Sequence, residues 1–158
     1  MMKYIFFLPA LLMTVTVFSQ TKNSIVELVN PASVATPKGY SQAAVVDLGN
    51  CKMVIMSGQV PLNKDGELVG KGDVGAQARQ VFQNIKNIVE EMGGSMNDVV
   101  KLTYLMTDVA GLVKVRVVRD EFINRQKPPA STLAQVSRLY REDVLIEVEA
   151  TAVIRKKE

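Results

Sequence analysis

The chain has 158 residues, 47% of them hydrophobic and 22% charged, with a formal net charge of +3. That length suits one domain, and the apolar fraction exceeds that of chains that stay disordered. With no histidine and a single cysteine, Cys51, the sequence excludes histidine triads, histidine-ligated zinc or haem, histidine general bases, disulfide frameworks and multi-cysteine metal sites.

The N-terminus, MMKYIFFLPALLMTVTVFSQ, joins one lysine, Lys3, to an apolar run from Tyr4 to Phe18. The run is too short to span a bilayer comfortably and is broken by Pro9, and small Ser19 precedes a polar stretch. Residues 1–19 are therefore expected to be a secretory signal peptide cut near Ser19–Gln20. The protein is then exported, periplasmic or secreted, and residues 20–158 form the folded domain. Loss of the leader removes Lys3 and no acid, so 18 basic and 16 acidic residues remain. That balance gives no electrostatic case for nucleic acid, and no membrane partner is expected once the leader is gone. The RKKE tail, Arg155 to Glu158, reads as a solvated end and Cys51 as a small apolar core residue.

A short strand is predicted near Ile25–Leu28. Asn30 to Tyr40 holds two prolines and a glycine and reads as an irregular connection. AAVVDLGN and KMVIMSGQ are strand-like runs joined at Gly49-Asn50, a hairpin signal, and the second is apolar on both faces, as a central strand would be. Pro61 to Gly72 is a glycine-punctuated loop. Val74, Ala78, Val81, Phe82, Ile85, Ile88, Val89 and Met92 then recur at helical steps, with Asp73 placed as N-cap and Gly93-Gly94 as the stop. Val99 to Met106 reads as a strand. A second helix is expected from Asp108 to Pro128-Pro129, carrying Leu112, Val115 and Phe122 inward. Two strands close the chain, about Ser131–Ser137 and Val144–Val153. The order β-β-α-β-α-β-β predicts an α+β fold, a single mixed sheet with two helices packed on one face.

The last strand separates Val144, Ile146, Val148, Ala150 and Ala152 on one face from Leu145, Glu147, Glu149, Thr151 and Val153 on the other. The second set mixes apolar and acidic residues. It is either a subunit interface with a polar cleft or a plain surface bearing two glutamates.

The stretches GDVGAQARQVFQNIKNIVEEMG, DVVKLTYLMTD, PPASTLAQVSRL and IEVEATAV, preceded by VDLGNCKMVIMSGQVPLNKDGELVG, resemble the reactive intermediate deaminase (RidA/YjgF) family from about Ser24 to Ile154. The resemblance implies the same fold, chorismate-mutase-like, assembled as a homotrimer with small-molecule clefts between subunits. It implies hydrolysis of 2-imino or enamine acids to 2-keto acids and ammonia, with no metal and no organic cofactor. It places the water-holding glutamate at Glu149 and the cleft tyrosine at Tyr40, with Ser57, Gly58 and Gln59 as the turn that lines the cleft. The family's carboxylate-gripping arginine falls on Ser131, which carries no charge, and a position that is often cysteine falls on Leu133. Two positions on the second helix, commonly asparagine and tyrosine, are Arg116 and Arg119; Arg116 either enters the cleft or stays on a solvated face. Retention of the glutamate favours a hydrolase of C–N bonds in a small substrate. Loss of the arginine favours a non-catalytic trimeric ligand-binding module. A nuclease role finds no support, since the chain offers no histidine, no metal set and no basic stripe.

Overall fold

A computed structural model describes residues 24–157, and the predicted leader lies outside them. Six strands form one sheet: β1 (Val26–Val29), β2 (Ala43–Asp47), β3 (Cys51–Gln59), β4 (Val99–Met106), β5 (Ala130–Gln135) and β6 (Ile146–Arg155). Their spatial order is β1-β2-β3-β6-β4-β5, antiparallel at every pairing except β4 with β5. Two helices, α1 (Val74–Glu91) and α2 (Leu112–Arg119), connect β3 to β4 and β4 to β5. Both crossovers link strands of the same direction and step the same way across the sheet. Connections of one hand therefore put both helices on one face, as the sequence pattern predicts.

The predicted apolar stripe of α1 is the centre of the core. Ala78, Val81, Phe82, Ile85, Ile88 and Val89 are fully buried, and they meet the inner row of β6, from Ile146 through Val148 and Ala150 to Ala152 and Ile154. Asp73 caps the helix by accepting from the Gly75 and Ala76 N–H groups at 2.9 and 3.3 Å. At the other end Gly94 N–H reaches the Val89 carbonyl and Gly93 N–H the Glu90 carbonyl. Gly93 has φ +79°, the left-handed residue this closing pattern requires.

Two amides inside the stripe add what its apolar periodicity does not reveal. Gln77, fully buried, donates to the Asp143 carbonyl and accepts from Leu145 N–H, both at 2.7 Å, pinning the approach to β6. Asn84 donates to the carbonyls of Val60 and Leu62 and holds the glycine-punctuated loop down.

Three expectations shift. The second helix ends at Arg119, ten residues before Pro129: its bonds tighten from Arg116 C=O···H–N Asp120 to three-residue steps at Glu121 and Phe122. Four valines in eight residues give it little intrinsic helicity to extend further. Cys51 opens β3 half-exposed rather than in the core. Lys156 in the tail is tied by its ammonium to both Asp47 carboxylate oxygens at 2.7 Å.

Candidate functional site

The predicted site residues fall into two groups. The first gathers where β3 leaves its register with β6. Met56 pairs with Ala150 but Gln59 pairs with Val148, so β3 takes three steps against two and bulges at Ser57–Gly58. The side chains of this turn are already engaged. The Ser57 hydroxyl donates to the Ser41 carbonyl at 2.7 Å, and Gln59 donates to the buried Gln42 at 2.9 Å and to the Ser57 carbonyl at 3.0 Å. Gln42 in turn donates to the Ala35 carbonyl. Ser57 and Gln59 thus use their side chains to fasten the loop that carries Tyr40, leaving the bulged backbone as what they present.

Gly58 fixes which glutamate lies at this turn. A Cβ built on it would stand 1.8 Å from Glu147 Oε1 and 2.6 Å from Glu147 Cδ. The Glu147 carboxylate therefore lies directly over the glycine. Burial, and then the charge of Glu149, raise its pKa above the usual carboxylate value. Tyr40, itself half-exposed, has its phenol raised by burial first and then by Tyr140 and Glu147. Tyr40, Tyr140, Glu147 and Gly58 thus form one neighbourhood. Glu149 is exposed and sits opposite Thr103 of β4. The resemblance placed the water-holding carboxylate at Glu149, whereas the one packed on the Ser57–Gln59 turn belongs to Glu147. The two share a sheet face, so alternation alone does not separate them; the bulge does.

The second group lies under α2. In the parallel β4–β5 ladder Ser131 stands beside Leu102 and Leu133 beside Tyr104. Leu102 and Tyr104 are buried on the helix side, so Ser131 and Leu133 point there too. Arg116, Arg119, Ser131, Leu133 and Tyr104 line a cavity of about 60 Å³. Arg116 thus stands with Ser131 and Leu133, although its side chain is mostly exposed. Arg119 is half-buried, and its Nε and Nη2 donate to one Asp120 oxygen at 2.9 and 2.7 Å.

These two groups occupy opposite faces of one sheet. Ile146 and Val148 are buried beneath the helices, so Glu147 and Glu149 project from the other side. No single chain brings Ser131 and Leu133 to Glu147. Among the described residues no cluster of three or more acids or cysteines is placed to hold a metal, and no helix is long and apolar enough to cross a membrane.

A mixed six-stranded sheet with two helices on one face, a glutamate pressed on a glycine bulge and a small cavity under the short helix define the class. The chain belongs to the endoribonuclease L-PSP family, which includes the RidA/YjgF proteins: the family model matches residues 30–154. A RutC family protein of Pyrococcus abyssi is 44% identical over 114 residues, spanning 72% of this chain and 84% of that one. The 2-iminobutanoate/2-iminopropanoate deaminase of Escherichia coli K12 is 43% identical over 113 residues, 70% of this chain and 84% of the relative. The crystal structure of the E. coli YjgF gene product superposes with a TM-score of 0.69 at 36% identity, covering 82% of this chain and 99% of the other.

Proposed function

We propose that the protein is a hydrolase of imine- or enamine-type C–N bonds in small molecules, working in a cleft between subunits of a homotrimer. The observation that carries this reading is the Glu147 carboxylate packed on Gly58 with its pKa raised by burial and by Glu149. A carboxylate of raised pKa binds a proton more readily and releases it at a pH nearer neutral, which suits it to both halves of an imine hydrolysis. Glu147 accepts a proton as water adds its oxygen to the carbon of the protonated imine, and the nitrogen takes the C=N electron pair and its positive charge is lost, giving the neutral amine of a carbinolamine. Glu147 then returns the proton to that nitrogen. The C–N bond breaks, ammonia leaves, and the remaining hydroxyl loses its proton to give the carbonyl. Tyr40 stands at the same edge as a neutral donor, since its phenol is raised further from ionisation.

The opposed faces support the subunit cleft. Ser131, Leu133 and Arg116 of one chain complete a site only if they meet the Tyr40–Glu147 edge of another. Exposed Ile55 and Val153 sit with Glu149 on the face that would be covered. Light scattering of the protein lacking residues 1–19 is expected to give three times the chain mass. Export is part of the same proposal, with N-terminal sequencing of the mature protein expected to begin near Gln20.

The deciding test is ammonia release from freshly generated 2-iminobutanoate and a panel of other imines and enamines. Turnover that falls at least a hundredfold in Glu147→Gln but only slightly in Glu149→Gln supports the assignment, by the size usual for a lost general base. The reverse ranking returns the role to Glu149. A second reading, a trimeric binding module without chemistry, draws on Ser131, whose hydroxyl cannot make the charged two-bond grip an arginine gives a carboxylate. It takes the lead if no substrate in the panel turns over.

A further inference from the structure

Gln42 joins the two sides of the Tyr40–Glu147 edge. The residue is 4% exposed, and each of its polar groups is engaged. Its backbone N–H donates to Asn30 Oδ1 at 2.9 Å, and its backbone carbonyl accepts from Ser57 N–H at 3.0 Å. Its side-chain oxygen accepts from Gln59 Nε2 at 2.9 Å, and its own Nε2 donates to the Ala35 carbonyl at 2.6 Å. Three segments therefore meet on one residue. They are the 30–40 connection that carries Tyr40, the approach to β2, and the bulge of β3 on which the Glu147 carboxylate lies.

The relay has a direction. Gln59 gives a hydrogen to Gln42, and Gln42 gives one to Ala35, so a single side chain must accept at one end and donate at the other. Half a turn of the amide would set its oxygen against the Ala35 carbonyl and its nitrogen against the Gln59 nitrogen, which fixes the orientation. An ionised glutamate would lack the donor, and an asparagine is one methylene short. Gln59 is as buried as Gln42, and bonds shielded from water hold their geometry more firmly. The connection has a separate fastening further back: the Ser33 hydroxyl donates to Glu91 at 2.6 Å, and Asn87 donates to the Ser33 carbonyl at 3.4 Å.

We propose that Gln42 is a positioning residue of the hydrolytic edge, setting the Tyr40 loop and the floor beneath Glu147 relative to each other although it bonds to neither side chain. Its catalytic meaning rests on the hydrolase reading. Tyr40 stands two residues before Gln42, and the Ser41 carbonyl between them accepts the Ser57 hydroxyl at 2.7 Å. Gly58, directly under the Glu147 carboxylate, lies between Ser57 and Gln59, both of which bond to Gln42. Loss of the amide therefore slackens the carboxylate's floor and the phenol's loop together.

The test begins with Gln42→Met in the full mature protein, which keeps an unbranched side chain of similar length and removes the amide. By carbon-detected NMR the Glu147 carboxyl is expected to titrate closer to its ordinary value than in the wild type, as the floor loosens and water reaches it. On an imine that the wild type turns over, kcat should fall about tenfold to a hundredfold with KM nearly unchanged, as for misplaced reacting groups rather than lost binding. Gln59→Met cuts the relay from its other end and should give the same titration shift, with the double variant shifting no further than either single one. Ser33→Ala loosens the connection at α1 and should leave the Glu147 titration in place. An unmoved Glu147 titration in Gln42→Met, an equal shift in Ser33→Ala, additive shifts in the double variant, or an unchanged kcat overturns the proposal. Should Gln42→Met fail to fold, Gln42→Asn is read by the same outcomes. Absence of turnover on every imine tried sinks the hydrolase reading alone, because the titrations still decide whether Gln42 sets this edge.

Discussion

Replacing Gly58 by alanine tests the site with one added carbon. The new Cβ would lie 1.8 Å from Glu147 Oε1, whereas real Cβ contacts essentially never fall under 3.0 Å. The carboxylate must therefore retreat by about 1.2 Å. The backbone itself accepts the change, because Gly58 is not among the residues of positive φ. Overpacking of this kind costs about 1–3 kcal/mol, and Glu147 has a flexible side chain with an open face to move into, so the low end applies. Catalysis is less forgiving: a displacement of about 1 Å at a reacting group costs on the order of a hundredfold. Two measurements read the outcome. Carbon-detected NMR titration should show the Glu147 pKa falling back toward the ordinary value, as the carboxylate leaves the burial that raised it. Turnover on any substrate found for the wild type should drop by roughly two orders of magnitude while the melting temperature shifts by only a few degrees. Wild-type turnover and an unmoved Glu147 titration in Gly58→Ala would refute the reasoning.

Glu147→Gln should also change how stability depends on pH. The folded protein holds the Glu147 proton more tightly than the unfolded chain does, so this residue's contribution is complete below the ordinary carboxylate range and is lost as pH rises through the raised folded value. Denaturant titrations across that window should show a shallower loss of stability in the glutamine variant, and identical slopes would contradict the burial of the carboxylate. Gln77→Ala should destabilise by about 2–4 kcal/mol, since it strands the Leu145 N–H and the Asp143 carbonyl; urea unfolding measures it, and a loss under 1 kcal/mol would mean that water replaces the amide. Asp73→Ala should cost about 1 kcal/mol through the lost cap of α1, again by urea unfolding. Ser131→Arg should raise ammonia release from 2-iminobutanoate at least tenfold by restoring a charged grip on the carboxylate, with no change expected only if the cleft lies elsewhere.

Much of the fold was legible because it rests on short-range regularities. The eight apolar positions of α1 recur at helical steps, and all but Val74 and Met92 prove fully buried. Gly49-Asn50 marked the hairpin, and the β6 alternation separated its buried row from its mixed one. The end of α2 was not legible, because Asp120 to Lys127 holds no strong breaker and Pro128 was the first visible stop. Gln77 and Asn84 were invisible for a different reason: an amide does not register on a hydrophobic period, and its partners lie far along the chain. The choice between Glu147 and Glu149 depends on the register of β3 against β6, a pairing of segments about ninety residues apart. That Ser131 faces away from both glutamates depends on β4, which lies between the two strands and sets their relative parity.

The opposition of Ser131 and Glu147 across one sheet has a genetic consequence under the proposed assembly. Each chain would lend one half-site to a neighbour and borrow the other, so no cleft would belong to a single gene product. A cell making an intact and a defective copy would build mixed rings in which a chain altered in one half-site disables one cleft, and that cleft can be one it shares with a sound partner. Conversely, two defective copies, one altered at Glu147 and the other at Leu133, would regain some intact clefts on mixing. Dominance and complementation at this locus would then follow from which way two side chains point from a sheet.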